Sequence, residues 1–176
     1  SYDWVVSFDL NSLYPSLIRF LNISPETVLD HPHDYVHGQP IEKLINKEID
    51  IQGTTTSDVC VAANGAMYTQ ERTGMMPTLV TKMYAERVQY KKEMLRLKQK
   101  LEDIEVRMKK GEKGLEDEHA QCIKDVTKYS NFQMVRKICL NSLYGALGNQ
   151  YFRHYKLENA EAITLTGQVA IRWIER

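Results

Sequence analysis

Residues 3–10, DWVVSFDL, are dominated by β-branched and aromatic side chains, the composition of a short buried strand. In SLYPSLIRFLN, which follows, apolar residues recur every three or four positions. That spacing predicts a helix, with Pro15 tolerable because it falls near the start. Residues 24–52 read as loop apart from one short helix near IEKLINKE. DVCVAANGAMYTQERTG then predicts two strands around Asn64-Gly65, the dipeptide best suited to a tight hairpin turn. From Pro77 the character changes. PTLVTKMYAERVQYKKEMLRLKQKLEDIEVRMKK holds strong helix formers without internal Gly or Pro, GEKG interrupts it, and a second helix is expected from about Leu115 to Leu147. At ~1.5 Å per residue each arm of this helical hairpin spans about 45 to 50 Å, long enough to project.

Composition narrows the class. The chain has 176 residues, 43% of them hydrophobic, which suits one domain or two small ones with a real core. No apolar run approaches the length of a membrane span, and the N-terminus lacks the basic flank and apolar stretch of a secretory signal, so a cytoplasmic location with no membrane partner is expected. Cys60, Cys122 and Cys139 are odd in number and lack metal-type spacing, which fits reduced structural thiols. The formal charge of zero argues against coating of nucleic acid through bulk charge and requires any polyanion site to be concentrated. The chain opens without methionine, nearly inside a strand, and closes in GQVAIRWIER without a helix stop, so it is expected to be a piece of a larger protein.

Candidate chemistry lies in three places. SFDLNSLYPS puts Asp9 at the end of the apolar run, where it is either a functional carboxylate or a cap on the next helix. Arg87 and Lys91 stand four apart, as two cations gripping one polyanion would, or as part of a solvated face. Lys137, Asn141, Tyr144 and Gly148 form one stripe on the second helix, with Gly145 beside it. The stripe offers a charge for phosphate, an amide, a ring, and glycines that admit a ligand to the backbone. An amphipathic core tyrosine and glycines serving helix packing explain the same spacing. The histidines of HPHDYVHG, His31, His33 and His37, read as a solvated loop cluster in preference to a metal site. The charged run from Lys91 to Gly114 has an irregular apolar repeat and reads as a solvated face rather than a coiled-coil surface.

DLNSLYPSLI resembles the first palm motif of family B DNA polymerases, DxxSLYPS, and KICLNSLYGALGN resembles their finger motif, KxxxNSxYG. NISPET, ANGAMYTQERTG and FRHYKLENAEAITLTGQVAIRWI are similar to the replicative members from T-even-type bacteriophages. The resemblance covers nearly the whole chain, except for residues 30–52 and the tip around 100–128.

What it implies is an α+β fold, a partial polymerase palm with a long two-helix antiparallel fingers hairpin. Residues 1–76 would be palm with the first motif and the β-hairpin, 77–150 the fingers, and 151–176 a return to palm. Asp9, with the Leu10 carbonyl, would hold two magnesium ions, one shared with carboxylates outside this chain. The backbone N–H groups of Ser12 and Leu13 would hold phosphate oxygens at a helix entry, and Tyr14 would lie under the deoxyribose as a steric gate. Arg87, Lys91 and Lys137 would grip the triphosphate of a dNTP, with Asn141, Tyr144 and Gly145 flanking the nascent base pair. Partners would be primer-template DNA and dNTPs, with a sliding clamp and other replisome proteins reached through regions not present here. The later YGDTDS-like motif with the remaining aspartates does not occur, so the isolated segment is expected to be inactive. The competing readings are a non-catalytic nucleic-acid-binding module and a helical-hairpin interaction module.

Overall fold

The computed structural model describes residues 4, 9–10, 12–29, 40–49 and 58–175. The chain divides into two compact units, one of Ser1–Thr78 with Tyr144–Arg176 and the other of Leu79–Leu143. The strand expected over residues 3–10 falls largely outside the described residues, as do His31, His33 and His37. Trp4, Asp9 and Leu10 lie in irregular backbone.

The first unit holds α1 (Leu13–Phe20), α2 (Pro40–Ile45), β1 (Val59–Val61), β2 (Met67–Thr69) and α5 (Leu157–Glu175), with the start of α3 and the end of α4. Both α1 and α2 pack on α5. The apolar stripe read from SLIRF buries Leu17 and Ile18. On α5 the buried residues are Asn159, Ala160, Ala162, Ile163 and Gly167. Full burial of Ile18 and Ile163 stabilises by about 1.5–3 kcal/mol each.

β1 and β2 pair antiparallel, with Val59 opposite Thr69, Cys60 opposite Tyr68 and Val61 opposite Met67. Their connection differs from the expected two-residue turn at Asn64-Gly65. The Ala62 amide donates to the Ala66 carbonyl at 2.8 Å and the Gly65 amide to the Ala62 carbonyl at 2.9 Å, leaving a three-residue loop. Only Gly65 is left-handed in it, at φ 84°, as a type I turn closed by a glycine bulge requires. Asn64 contributes its side chain instead. Its Nδ2 donates to the Glu158 carbonyl at 3.0 Å and its Oδ1 accepts from the Ala66 amide at 3.2 Å.

NISPET ties this hairpin to the first turn of α3 (Met75–Lys109). Buried Asn22, left-handed at φ 57°, donates from Nδ2 to the carbonyls of Thr69 at 2.6 Å and Arg72 at 2.8 Å. Its Oδ1 accepts from the Gly74 amide at 2.8 Å. Glu26 Oε1 accepts from the Met75 amide at 2.5 Å and Glu26 Oε2 from the Ser24 hydroxyl at 2.6 Å, so residues far away in sequence satisfy orphan donors of the helix start. A Cβ on Gly74 would stand 2.6 Å from Ser24 Cβ, which is why the position is glycine.

The second unit is the antiparallel pair formed by α3 and α4 (Glu116–Leu147). GEKG turns the chain with Gly111 and Gly114 left-handed at φ 89° and 83°. The Gly111 amide bonds the Met108 carbonyl and the Glu112 amide the Arg107 carbonyl, the pair of bonds that ends a helix on an αL glycine. Contrary to the irregular apolar repeat, burial alternates at spacings of three and four along both helices. On α3 it runs through Val80, Met83, Arg87, Tyr90, Met94, Leu97, Leu101, Ile104 and Met108. From Leu115 onward it runs through His119, Cys122, Val126, Tyr129, Gln133, Arg136, Leu140 and Leu143. Within Lys91–Gly114 the seam positions Met94, Leu97, Leu101, Ile104 and Met108 are all apolar, and exposed Leu95 and Val106 beside them blur the period; Arg87, Gln133 and Arg136 hold seam positions outside that run. The tip half is apolar, a cluster of Leu97, Ile104, Leu115 and Cys122 with Leu101, Met108, Val126 and Tyr129 against it.

Candidate functional site

α1 begins at Leu13 directly after Ser12, which is left-handed at φ 55° and makes no side-chain cap. The first turn of α1 contains no acidic residue, and Pro15 there has no N–H to leave unpaired. A left-handed residue followed by right-handed ones turns successive N–H groups toward one side, the geometry of an anion nest. Asp9 is exposed and Leu10 half-buried just before this turn.

Tyr14, in the first turn of α1, lies against Tyr144 of α4 with ring centroids 4.5 Å apart and planes tilted by 33°. The Tyr144 hydroxyl is 2.9 Å from Thr164 Oγ1, and Thr164 Oγ1 donates to the Ala160 carbonyl at 2.9 Å. Because the threonine hydroxyl has one proton, and it is given to Ala160, the phenol donates to Thr164. Behind Tyr14, a Cβ built on Gly167 would be 3.4 Å from Tyr14 Cε1 and 3.6 Å from a methyl of Leu13, so α5 approaches α1 across a bare backbone. Ala160, Thr164 and Gly167 are spaced i, i+4, i+7 on one face of α5. A run of small residues at that spacing in ENAEAITLTGQ is the signal that could have revealed this wall, and sequence reading passed over it.

Among the residues expected to bind nucleotide, Ser12, Leu13, Tyr14, Tyr144 and Gly145 belong to the first unit, and Arg87, Lys91, Lys137 and Asn141 to the second. Gly145 is exposed and nothing lies within 4 Å of the place its Cβ would take. Gly148 does not complete the stripe on the helix. α4 ends at Leu147, and the Asn149 amide turns back to the Ala146 carbonyl at 3.0 Å. In the second unit Arg87 is half-buried in the seam, whereas Lys91, Lys137 and Asn141 are exposed, each one residue past a seam position.

Sequence reading also passed over Glu86 and Arg136. Arg136 Nε donates to Glu86 Oε2 at 2.5 Å, joining α4 to α3 with both side chains about two-thirds shielded. The Arg136 guanidinium also stands 5.9 Å from the Tyr90 ring centroid. The hydrogen bond to Glu86 holds Arg136 further toward its charged form.

Asp9 and the Leu10 carbonyl offer hard oxygen donors of the kind magnesium takes. Among the described residues no three His, Cys, Asp or Glu side chains gather to hold a metal. Those two oxygens supply at most part of a magnesium shell. No helix of the described residues is long and apolar enough to cross a membrane.

Comparison with known proteins places this geometry in a family. The model of DNA polymerase family B matches residues 2–176. The DNA-directed DNA polymerase of Escherichia phage RB69 is 35% identical across 99% of this chain, and that of Enterobacteria phage T4 is 34% identical across 98%. This chain spans 22% of the length of either. The DNA polymerase of Orf virus is 27% identical over 98% of the chain and 16% of its own length. In fold, the chain is similar to the family B DNA polymerase of Pyrobaculum calidifontis, with TM-score 0.57 and 20% identity over 93% of this chain and 16% of that one. The chain belongs to DNA polymerase family B.

Proposed function

We propose that this chain is the palm and fingers segment of a DNA-directed DNA polymerase, which adds deoxynucleotides from dNTPs to a primer 3′-hydroxyl on a DNA template. The observation that carries the reading is the contact of Tyr14 with Tyr144, because it joins the two motifs that carry the family resemblance within one unit. Residues 1–76 and 151–176 are then palm and 77–150 fingers.

Tyr14 is the steric gate. Its ring lies against Tyr144, which limits how far it can yield to a 2′-hydroxyl. The Ser12 and Leu13 amides receive triphosphate oxygens at the start of α1, where the dipole and a first turn without acidic residues favour an anion. Arg87, Lys91 and Lys137 grip the triphosphate and neutralise its charge, so the segment contributes mostly positioning and electrostatics. Asn141, Tyr144 and Gly145 border the nascent base pair, and the open space at Gly145 lets a base approach the backbone.

Asp9 and the Leu10 carbonyl hold magnesium together with carboxylates beyond this chain, and the bound metal supplies charge neutralisation and a more acidic primer hydroxyl. Without those other carboxylates the isolated segment does not polymerise. A sliding clamp and other replisome proteins engage regions outside it. Primer extension by the polymerase containing this segment tests the reading. Asp9→Ala removes nucleotide addition and leaves primer-template binding intact, and retention of a tenth of the single-turnover rate would refute the metal role.

A further inference from the structure

The half of the α3/α4 seam nearest Val80 and Leu143 is unlike the tip half. Its interior positions include Arg87, Tyr90, Gln133 and Arg136 in place of a continuous aliphatic column. Apolar contacts between helices are non-directional and allow a helix to slide or rotate by a fraction of a turn at small cost. A charge pair with a ring beside it does not. Arg136 on α4 reaches two α3 side chains one turn apart, the Glu86 carboxylate at 2.5 Å and the Tyr90 ring at 5.9 Å. Both contacts hold only at one axial register and one rotation of α4 against α3. Partial shielding strengthens the pairing over that of a fully exposed pair. Glu86 and Tyr90 immediately precede Arg87 and Lys91, and Arg136 immediately precedes Lys137. The contacts therefore set where those three cations stand relative to one another.

We infer that the Glu86–Arg136 pair, backed by Tyr90, is the positioning device that registers the triphosphate-gripping cations of the two fingers helices, without itself touching nucleotide. The inference rests on the proposed role of Arg87, Lys91 and Lys137. If three cations are to meet one polyphosphate, their spacing matters as much as their charge, since a misplacement of about 1 Å weakens charge-assisted contacts and alignment for in-line transfer. Glu86 carries a negative charge beside a polyanion site, which direct nucleotide binding would disfavour. A registering role explains that sign.

The test uses single-turnover nucleotide incorporation by the whole polymerase carrying this segment, with primer-template affinity and thermal unfolding measured on each variant. Glu86→Gln and Arg136→Gln each weaken apparent dNTP affinity roughly five- to tenfold, on the scale of couplings between contacting charged groups, while primer-template affinity is unchanged. The exchanged pair Glu86→Arg with Arg136→Glu, which restores the ion pair but not the cation over Tyr90, recovers part of the lost affinity, as does Arg136→Lys, which cannot keep both contacts. In a Lys137→Ala background Glu86→Gln adds less than twofold, because the cation it registers is gone. Unchanged dNTP affinity in Glu86→Gln, or a full additive loss in the Lys137→Ala background, overturns the inference. So does a loss that follows the unfolding temperature alone. Arg87→Ala and Lys91→Ala are measured alongside. If they too leave dNTP affinity unchanged, the cation reading falls and this inference with it, whereas if they weaken it and Glu86→Gln does not, only the registering role falls.

Discussion

Tyr14 and Tyr144 sit near opposite ends of the chain, yet their rings lie 4.5 Å apart between centroids, tilted by 33°. Each ring limits the movement of the other. Tyr14→Ala therefore has two consequences. On the proposed gate role, it removes a clash with a 2′-hydroxyl and raises ribonucleotide insertion relative to deoxynucleotide insertion by roughly a hundredfold or more. It also frees the Tyr144 ring, so base-pair discrimination falls with sugar discrimination. Incorporation of rNTP against dNTP and of matched against mismatched dNTP measures both. Unchanged sugar selection with preserved activity would mean that Tyr14 is only packing.

Thr164 is the acceptor for the Tyr144 phenol. Thr164→Val leaves that half-buried hydroxyl without its partner, a loss of about 1–2 kcal/mol in the preference for the observed ring position. Mismatch insertion should rise several-fold in Thr164→Val and in Tyr144→Phe, and the double variant should be no worse than the more affected single one. Additive losses would show that the two residues act separately.

Gly74 is closed in by NISPET. A methyl there would lie 2.6 Å from Ser24 Cβ and 3.0 Å from Thr27 Cγ2, neither of them the end of a flexible chain. Gly74→Ala is expected to destabilise by about 1–3 kcal/mol through overpacking, despite the gain in backbone propensity. A lower unfolding temperature, with faster amide exchange at Thr69 and Met76, is the expected result, and an unchanged one would refute the close approach.

Glu26 links stability to pH at the start of α3. Burial pushes its carboxyl up, but the Met75 amide, the Ser24 hydroxyl and the Arg72 charge outweigh this and hold it below the ordinary value of 4.5. A folded-state value below the unfolded one stabilises above pH 4.5 and is lost as pH falls through the folded-state value. At neutral pH, Glu26→Gln should cost about 0.3–1 kcal/mol locally. It would be read as faster exchange of the Met75 and Met76 amides than in the parent, with the difference disappearing in acid. A difference that persists unchanged in acid would assign the effect to packing rather than charge.

Helices α1, α3 and α4 were legible because their causes are local. Apolar spacing in SLYPSLIRF, the absence of Gly and Pro across the first arm, and the two glycines of GEKG each act within a few residues. The short helix at Pro40–Ile45 and the paired strands around the Asn64-Gly65 turn were visible for the same reason. The turn type was not, because Asn64 is committed to the Glu158 carbonyl, far away in sequence, and a three-residue loop satisfies that bond. In the run Lys91–Gly114 the seam was blurred by exposed Leu95 and Val106, and nearer Val80 and Leu143 it was hidden by its polar members. Nothing in the spacing of Arg87, Gln133 or Arg136 distinguishes a seam position from a solvated one until the opposite helix is present.

The candidate site divides along the same line. Side-chain chemistry is a property of the residue, so the carboxylate at Asp9, the cations at Arg87, Lys91 and Lys137 and the aromatic ring at Tyr144 could be named from the sequence by itself. Proximity is a property of the folded chain. That Tyr14 meets Tyr144, that Thr164 accepts the phenol's hydrogen bond, that Gly167 lies beside the Tyr14 ring and that Glu86 holds Arg136 were decided only by tertiary structure. Each of these contacts is bought by the burial of segments distant in sequence, which no local pattern encodes.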